Sequence, residues 1–275
     1  MAQTNLEPRQ NAVLVQEAVV SQKAIPAVSI IMPVYNEGIE VVHSIQSAIK
    51  KFESLLSSSF ELIVVDDGSN DRTRDFLRVI KDDRVSVVRQ RVNSGKGGAQ
   101  LFAFKYASGD IVIFADGDMQ AFPKDLQHYL DALENADIAI ASKRVPGAHL
   151  RASVTRNFLS IGFNSFVHVL LSLHMRDTQA GFKVFRRSAL EKILPLISVK
   201  RYAFDVELLV VATKICNYKV VELPAKVDLA SGFSLRNIIR MMVDLLGIAY
   251  RLKIKHWYQD NYGRPHCDYE PILRW

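Results

Sequence analysis

Between residues 28 and 118 the chain repeats one pattern that leaves few folds open. Four apolar runs, at 28–32, 60–65, 85–89 and 111–115, are each followed by a polar turn. Runs this short, bounded by turn residues, read as strands buried on both faces. Between them lie segments of helical periodicity at 39–56, 72–81 and 98–107, the first carrying Val42, Ile45, Ala48, Ile49 and Phe52 on one side. The order β-α-β-α-β-α-β predicts an α/β fold: a Rossmann-like, mostly parallel central sheet with helices on both faces. Ligands of such sheets bind beyond the carboxyl ends of the strands. Pro33-Val34-Tyr35-Asn36-Glu37, Asp66-Asp67-Gly68-Ser69, Gly95-Lys96-Gly97-Gly98 and Asp116-Gly117-Asp118 all fall on that edge.

These turns have chemical capacity. Asp116 and Asp118 stand at i and i+2 of an extended segment, so their carboxylates face the same way. Gly117 between them leaves room for close approach to the backbone. Two hard oxygen ligands with an otherwise open shell suit Mg²⁺ or Mn²⁺ shared with phosphate oxygens, and Gln120 adds a carbonyl. An isolated Asp-Gly-Asp is more often a plain strand-end turn; its company on one edge reverses that reading. Asp66 and Asp67 suit a nucleobase N–H or ribose hydroxyl, or else an Asx-turn and helix cap. Lys96 and its flanking glycines suit a phosphate, or else form a solvated loop. The spacing is not that of a P-loop, and no G-x-G-x-x-G follows the first strand, which disfavours a dinucleotide oxidoreductase.

The second half is less regular. It predicts helices at 123–133, 188–196, 205–215 and 235–255 and strands at 138–142 and 220–227. Residues 143–156 form a basic linker holding Lys143, Arg144, His149, Arg151 and Arg156, and 157–173 are almost wholly apolar. Basic groups beside an apolar surface suit a lipid phosphate whose tail leaves along that surface; the alternative is a core helix with solvated flanks. The 235–255 segment mixes Ile238, Ile239, Met242, Leu245 and Leu246 with Arg236, Arg240, Arg251, Lys253 and Lys255, which favours an amphipathic membrane-interface helix.

The net charge of +6 calls for an anionic partner. Nucleic acid is disfavoured, because acidic pairs occupy the site edge and no basic–aromatic stripe appears. Two cysteines, Cys216 and Cys267, have no metal-ligand spacing. No spanning run and no signal-peptide order are seen, so the expected location is cytoplasmic, peripheral on the cytoplasmic face of a membrane. Residues 1–27 are expected to be a flexible extension, 28–234 the catalytic domain, 235–258 an interface helix and 259–275 a tail. A homo-oligomer is compatible with all of this.

The motifs at 28–37 (V-S-I-I-M-P-V-Y-N-E), 66–71 (D-D-G-S-N-D), 93–98 (N-S-G-K-G-G) and 116–120 (D-G-D-M-Q) resemble the inverting family 2 glycosyltransferases of GT-A fold. Residues 177–186 (D-T-Q-A-G-F-K-V-F-R) and 201–209 (R-Y-A-F-D-V-E-L-L) are similar to the dolichyl-phosphate glucosyltransferase branch, whose neighbours are the dolichyl-phosphate mannose synthases. The resemblance implies metal-dependent transfer of a hexose from a nucleotide-sugar, UDP-glucose favoured, to dolichyl or polyprenyl phosphate, with a mannose synthase using GDP-mannose, or a soluble family 2 enzyme with a non-lipid acceptor, as the alternatives. It implies that Pro33, Tyr35, Glu37 and Asp67 line the base and ribose, with Lys96 near the donor. Asp116, Asp118 and Gln120 would hold the metal. Arg156 and Ser160, with Lys143 or Arg144, would hold the acceptor phosphate, and Asp177, Gln179 and Lys183 would border the sugar and acceptor. Asp118, Arg156, Asp177 and Gln179 are the expected catalytic residues, with Asp177 as a base the weaker alternative to a reaction that needs none. The chain departs from the eukaryotic glucosyltransferases in lacking their N-terminal spanning helix, and 259–275 match no family pattern.

Overall fold

The computed structural model describes residues 26–263, except 118, 120, 124, 152–153 and 229–234. The first half alternates β1 (Val28–Val34), α1 (Glu40–Leu55), β2 (Phe60–Asp66), α2 (Thr73–Leu77), β3 (Val85–Arg89), α3 (Lys96–Phe104) and β4 (Ile111–Phe114). The second half runs β5 (Ala121–Pro123), α4 (Leu126–Ala132), β6 (Ile138–Ser142), β7 (His149–Arg151), α5 (Val154–Leu171), β8 (Lys183–Arg186), α6 (Arg187–Ile193), α7 (Phe204–Val210), β9 (Val220–Asp228), α8 (Leu235–Lys253) and α9 (Trp257–Asn261). A 3-10 turn at Leu194–Leu196 follows α6, and a π-helical turn at Val211–Ile215 continues α7.

Among the described residues nine strands form one sheet in the order β3-β2-β1-β4-β8-β6-β9-β5, with β7 also on β9. Strands β1 to β4 are mutually parallel, as the βαβ pattern requires. Strand β8 lies antiparallel to both β4 and β6 and joins the two halves. The β1–β4 ladder ends at Ile31↔Phe114, whereas β1 continues beside β2 through Val34↔Asp66. Pro33 therefore lies inside β1 rather than ending it. Ile31 accepts from Ala115 N on the β4 side, so Pro33, two residues on, turns its missing N–H toward a ladder that has already stopped.

Alternate strand residues feed two cores. Ile31, Ile63, Val65, Val112, Phe114, Ile140 and Phe185 pack with α3 and α5–α9. Ile30, Met32, Leu62, Val64, Ile113, Ala139 and Val184 pack with α1, α2 and α4. The result is a three-layer α/β/α unit.

Several local expectations change. The helix expected at 123–133 begins only at Leu126, because Ala121–Pro123 pairs antiparallel with β9. The basic linker contains β7, which pairs parallel with β9. Helix α3 starts at Lys96, so two glycines stand in its first turn; a Cβ on Gly97 would lie 2.2 Å from Phe204 Cγ, and close packing against α7 overrides helix propensity there. Helix α2 is shorter than 72–81, α8 ends at Lys253, and a separate α9 straddles the boundary at 258/259 expected between interface helix and tail.

Helix α7 is buried along its whole length, although it carries Asp205 and Glu207. A buried carboxylate persists only when paired and hydrogen-bonded. Glu207 Oε2 accepts from Ser198 N (2.9 Å) and Val199 N (2.6 Å), and Oε1 from Arg251 Nη2 (2.9 Å) and Tyr258 Oη (2.5 Å). One carboxylate thus ties the 198–199 turn, α8 and α9 to α7. Burial, with the Glu207 charge adding to it, holds the Tyr258 phenol far above its ordinary range. Replacing Glu207 by Ala strands the Arg251 cation and two amides, at a cost of about 3 kcal/mol or more. Calorimetry on E207A is expected to show a melting temperature lower by roughly 6–12 °C; a change within about 1 °C of the parent would contradict the assigned role.

Candidate active site

The turns at the carboxyl edge are laced together. Asn36 N donates to Ser69 Oγ (3.0 Å), and Asn70 N to Asn36 Oδ1 (3.0 Å). Gly38 N reaches Thr73 Oγ1 at 2.8 Å. Asp67, nearly buried, accepts from Ser94 N (2.8 Å), Ser94 Oγ (3.0 Å) and Gly95 N (2.8 Å). Burial pushes its carboxyl upward, opposed by these three donors. Both oxygens of Asp67 are therefore spent on shaping the loop that delivers Lys96. Tyr35 stands exposed beside this edge.

A four-membered charge array lies next to it. Lys96 Nζ is 2.5 Å from Asp116 Oδ1 and 3.7 Å from Asp205 Oδ2. Lys183 Nζ is 2.5 Å from Asp205 Oδ1 and also donates to the Ala180 carbonyl. Burial alone would raise the Asp205 carboxyl, but Lys183 and Lys96 outweigh it and hold it below the usual carboxylate value. Two cations and two anions alternate, so the array is neutral overall. Lys183 is fully buried and does not border an open cleft, contrary to expectation. The role of Asp205 was not foreseen, although two acids in the otherwise apolar run 204–212 were a signal that buried partners must exist.

Backbone presses on Asp116 from two sides. A Cβ on Gly181 would lie 2.2 Å from Asp116 Oδ2, and one on Gly117 2.7 Å from the Pro33 carbonyl and 2.8 Å from Glu37 Oε1. The room at Gly117 is thus taken up by the end of β1 and by Glu37. Asp118 and Gln120 lie outside the described residues. Among the described residues no group of three or more His, Cys, Asp or Glu side chains is placed to hold a metal. Asp116, a hard oxygen donor whose side chain is 30% exposed, fits the share of a divalent-cation site expected of it.

A second cluster sits at the other end of the loop that ends in Gly181. Asp177 is nearly buried; its Oδ1 accepts from Lys143 Nζ (2.7 Å) and Gln179 N (3.2 Å), and its Oδ2 from Lys143 N (3.2 Å). Arg144 Nη2 donates to Ser160 Oγ at 2.9 Å. The two candidate bases thus part company: Lys143 pairs with Asp177, and Arg144 with the hydroxyl of α5. Glu222, another unforeseen residue, accepts from Arg176 N and Asp177 N at 2.8 Å each and fixes the start of the loop. Gln179 Nε2 lies 3.1 Å from Met241 Sδ on α8. Helix α5 contains Arg156, whose side chain is outside the described set. Four peptide units separate Asp177 from Gly181, so the two clusters are at most about 15 Å apart at the Cα atoms.

Two helices bring apolar surface beside this cluster. Helix α8 buries Met241, Leu245, Ile248, Ala249 and Leu252 while Ile239, Val243, Leu246 and Tyr250 are 50–62% exposed, with Ile254 beyond it. Val169 of α5 is 78% exposed. Among the described residues no helix is long and apolar enough to cross a membrane.

Comparison with known proteins agrees with this geometry. Residues 29–194 match the model of the family described as glycosyl transferase family 2. The dolichyl-phosphate beta-glucosyltransferase of Saccharomyces cerevisiae is 30% identical over 260 residues, covering 85% of this chain and 77% of that protein. Its namesake in Dictyostelium discoideum is 30% identical over 250 residues, covering 83% and 76%. Glucosyl-3-phosphoglycerate synthase from Mycobacterium tuberculosis, solved with Mn²⁺, UDP-glucose and phosphoglyceric acid, superposes with a TM-score of 0.60 at 19% identity, over 82% of this chain and 79% of that one. The sheet order, the carboxyl-edge turns and these matches agree: the chain belongs to glycosyl transferase family 2 and is a glycosyltransferase of GT-A fold.

Proposed function

We propose that the protein transfers glucose from UDP-glucose to a polyprenyl phosphate of the dolichyl class, inverting the anomeric carbon. One observation carries this reading: loop 177–181 touches the Asp116 array at one end and the Lys143–Asp177 pair at the other. A donor diphosphate and an acceptor phosphate can thus be held on one short segment. Relatives named for this reaction support the lipid acceptor and the sugar, and a structural neighbour solved with UDP-glucose and Mn²⁺ supports the donor class.

Pro33, Tyr35, Glu37 and Asp67 are assigned to the base and ribose, with Asp67 acting through the loop it holds. Mg²⁺ or Mn²⁺ would be held by Asp116 together with Asp118 and Gln120. When bound, the cation offsets charge on the departing diphosphate. Arg144, Ser160, Lys143 and Arg156 are assigned to the acceptor phosphate, where fixed cations offset its repulsion from the donor. A phosphate monoester is already largely ionised at neutral pH, its second pKa being about 6, so attack needs no general base. Asp177 then serves to hold Lys143 in place, with Gln179 between it and α8. The exposed apolar residues of α8, with Arg240 and Lys253 on the same helix, are assigned to the surface of an anionic membrane, on which the enzyme would sit peripherally at the cytoplasmic face.

Transfer of radiolabel to dolichyl phosphate tests the reaction. Metal-dependent label from UDP-glucose, lost in Asp118→Ala, is expected; label from GDP-mannose alone would move the protein to the mannose branch. Gly181→Ala forces a Cβ into Asp116 and is expected to lower turnover by about 100-fold, a displacement of roughly 1 Å being enough for such a loss, while circular dichroism stays unchanged. Near-normal activity in G181A would remove Asp116 from the donor site. The double variant V243E/L246E alters two exposed positions, so stability should change by less than about 1 kcal/mol. It is expected to lose flotation with anionic liposomes; unchanged flotation would assign α8 another role.

A further inference from the structure

Lys96 stands where a cation is needed. Its ammonium is 2.5 Å from Asp116, the described carboxylate assigned to the metal, and 3.7 Å from Asp205. The two pairs in the array differ in how they can open. Lys183 and Asp205 are 0% and 11% exposed at the side chain, and Lys183 is further held by the Ala180 carbonyl. Lys96 and Asp116 are 31% and 30% exposed. Solvent and ligands therefore reach the array through the Lys96–Asp116 pair, while Lys183–Asp205 is its fixed half.

We propose that Lys96 is an internal counter-cation that occupies Asp116 until the donor arrives, so that divalent metal enters together with the nucleotide rather than before it. This rests on the donor and metal reading above. A free divalent cation approaching Asp116 must displace the ammonium and meets its like charge. A cation that comes with a diphosphate brings Lys96 a new anionic partner as it takes the old one away. Asp205 is the positioning residue for this exchange. It is ionised, it cannot leave Lys183, and at 3.7 Å it keeps an anion beside the displaced ammonium. The exchange conserves charge pairing throughout: Lys96 passes from two carboxylates to one carboxylate and a diphosphate, and Asp116 passes from lysine to metal.

The test is binding of Mn²⁺, read by the electron paramagnetic resonance signal of the free ion, with and without UDP. Values are corrected for Mn²⁺ held by UDP in solution. Without UDP, Lys96→Met is expected to bind Mn²⁺ about tenfold more tightly than the parent, and K96M/D116N to return to weak binding. UDP is expected to tighten Mn²⁺ binding at least about tenfold in the parent and far less in K96M. Equal affinity of the parent and K96M for Mn²⁺ alone overturns the proposal, as does tight binding that survives in the double variant. K96Q, with a neutral polar tip, gives the same comparison if K96M does not fold. Failure of UDP to bind either protein would overturn the donor reading instead, and the metal-only comparison would still decide the part played by Lys96.

Discussion

A lysine buried in the middle of a sheet must have an anion, and much of this molecule follows from where that anion sits. Lys183 opens β8, the strand that joins the two halves of the sheet, and has no exposure. Its partner Asp205 lies near the start of α7, so the ion pair fastens that helix over the junction. Two residues on, Glu207 uses the same helix to hold α8 and α9. Desolvating these charges is costly, and the cost is offset only while each finds its partners in place. Sheet junction, donor edge and C-terminal helices are therefore one electrostatic construction.

The same construction suits the proposed transfer, which asks for no general base. Its described carboxylates are engaged: Asp67 with a loop, Asp177 with Lys143, Asp205 with two lysines, Asp116 with one. Groups so committed are poor proton carriers and good fixtures. The transfer proposed above, between two phosphate-bearing substrates, asks for fixtures, since its nucleophile would arrive ionised and its leaving group depart as an anion.

Much of the first half was legible in the residues, because a βαβ repeat writes each strand as an apolar run and each site turn as its polar end. Strand β3 falls where its run does, and so does β6 in the second half, while Asp116 and Lys96 meet as two ends of one edge. What was not legible depends on partners distant in the chain. The reversed direction of β8 is not encoded in an apolar run. Strand β5 is three residues ending in proline, too short to alternate. Lys183 and Asp205 are 22 residues apart, and Glu207 and Tyr258 are 51. In each case composition announces an unmet charge but not who meets it.

The placement of β8 also has a consequence in time. Strands β1 to β4 are neighbours in the chain and can assemble as soon as they exist, but the open edge of β4 is covered only by β8, through Ile111↔Arg186 to Phe114↔Lys183. A ribosome adding about 5–20 residues per second leaves that edge bare for several seconds. For that interval the nascent chain offers an apolar strand with unpaired amides to any neighbour, the kind of surface that recruits chaperones or nucleates aggregates. The strand that joins the two halves of the sheet is thus also one whose late arrival leaves an earlier edge uncovered during synthesis.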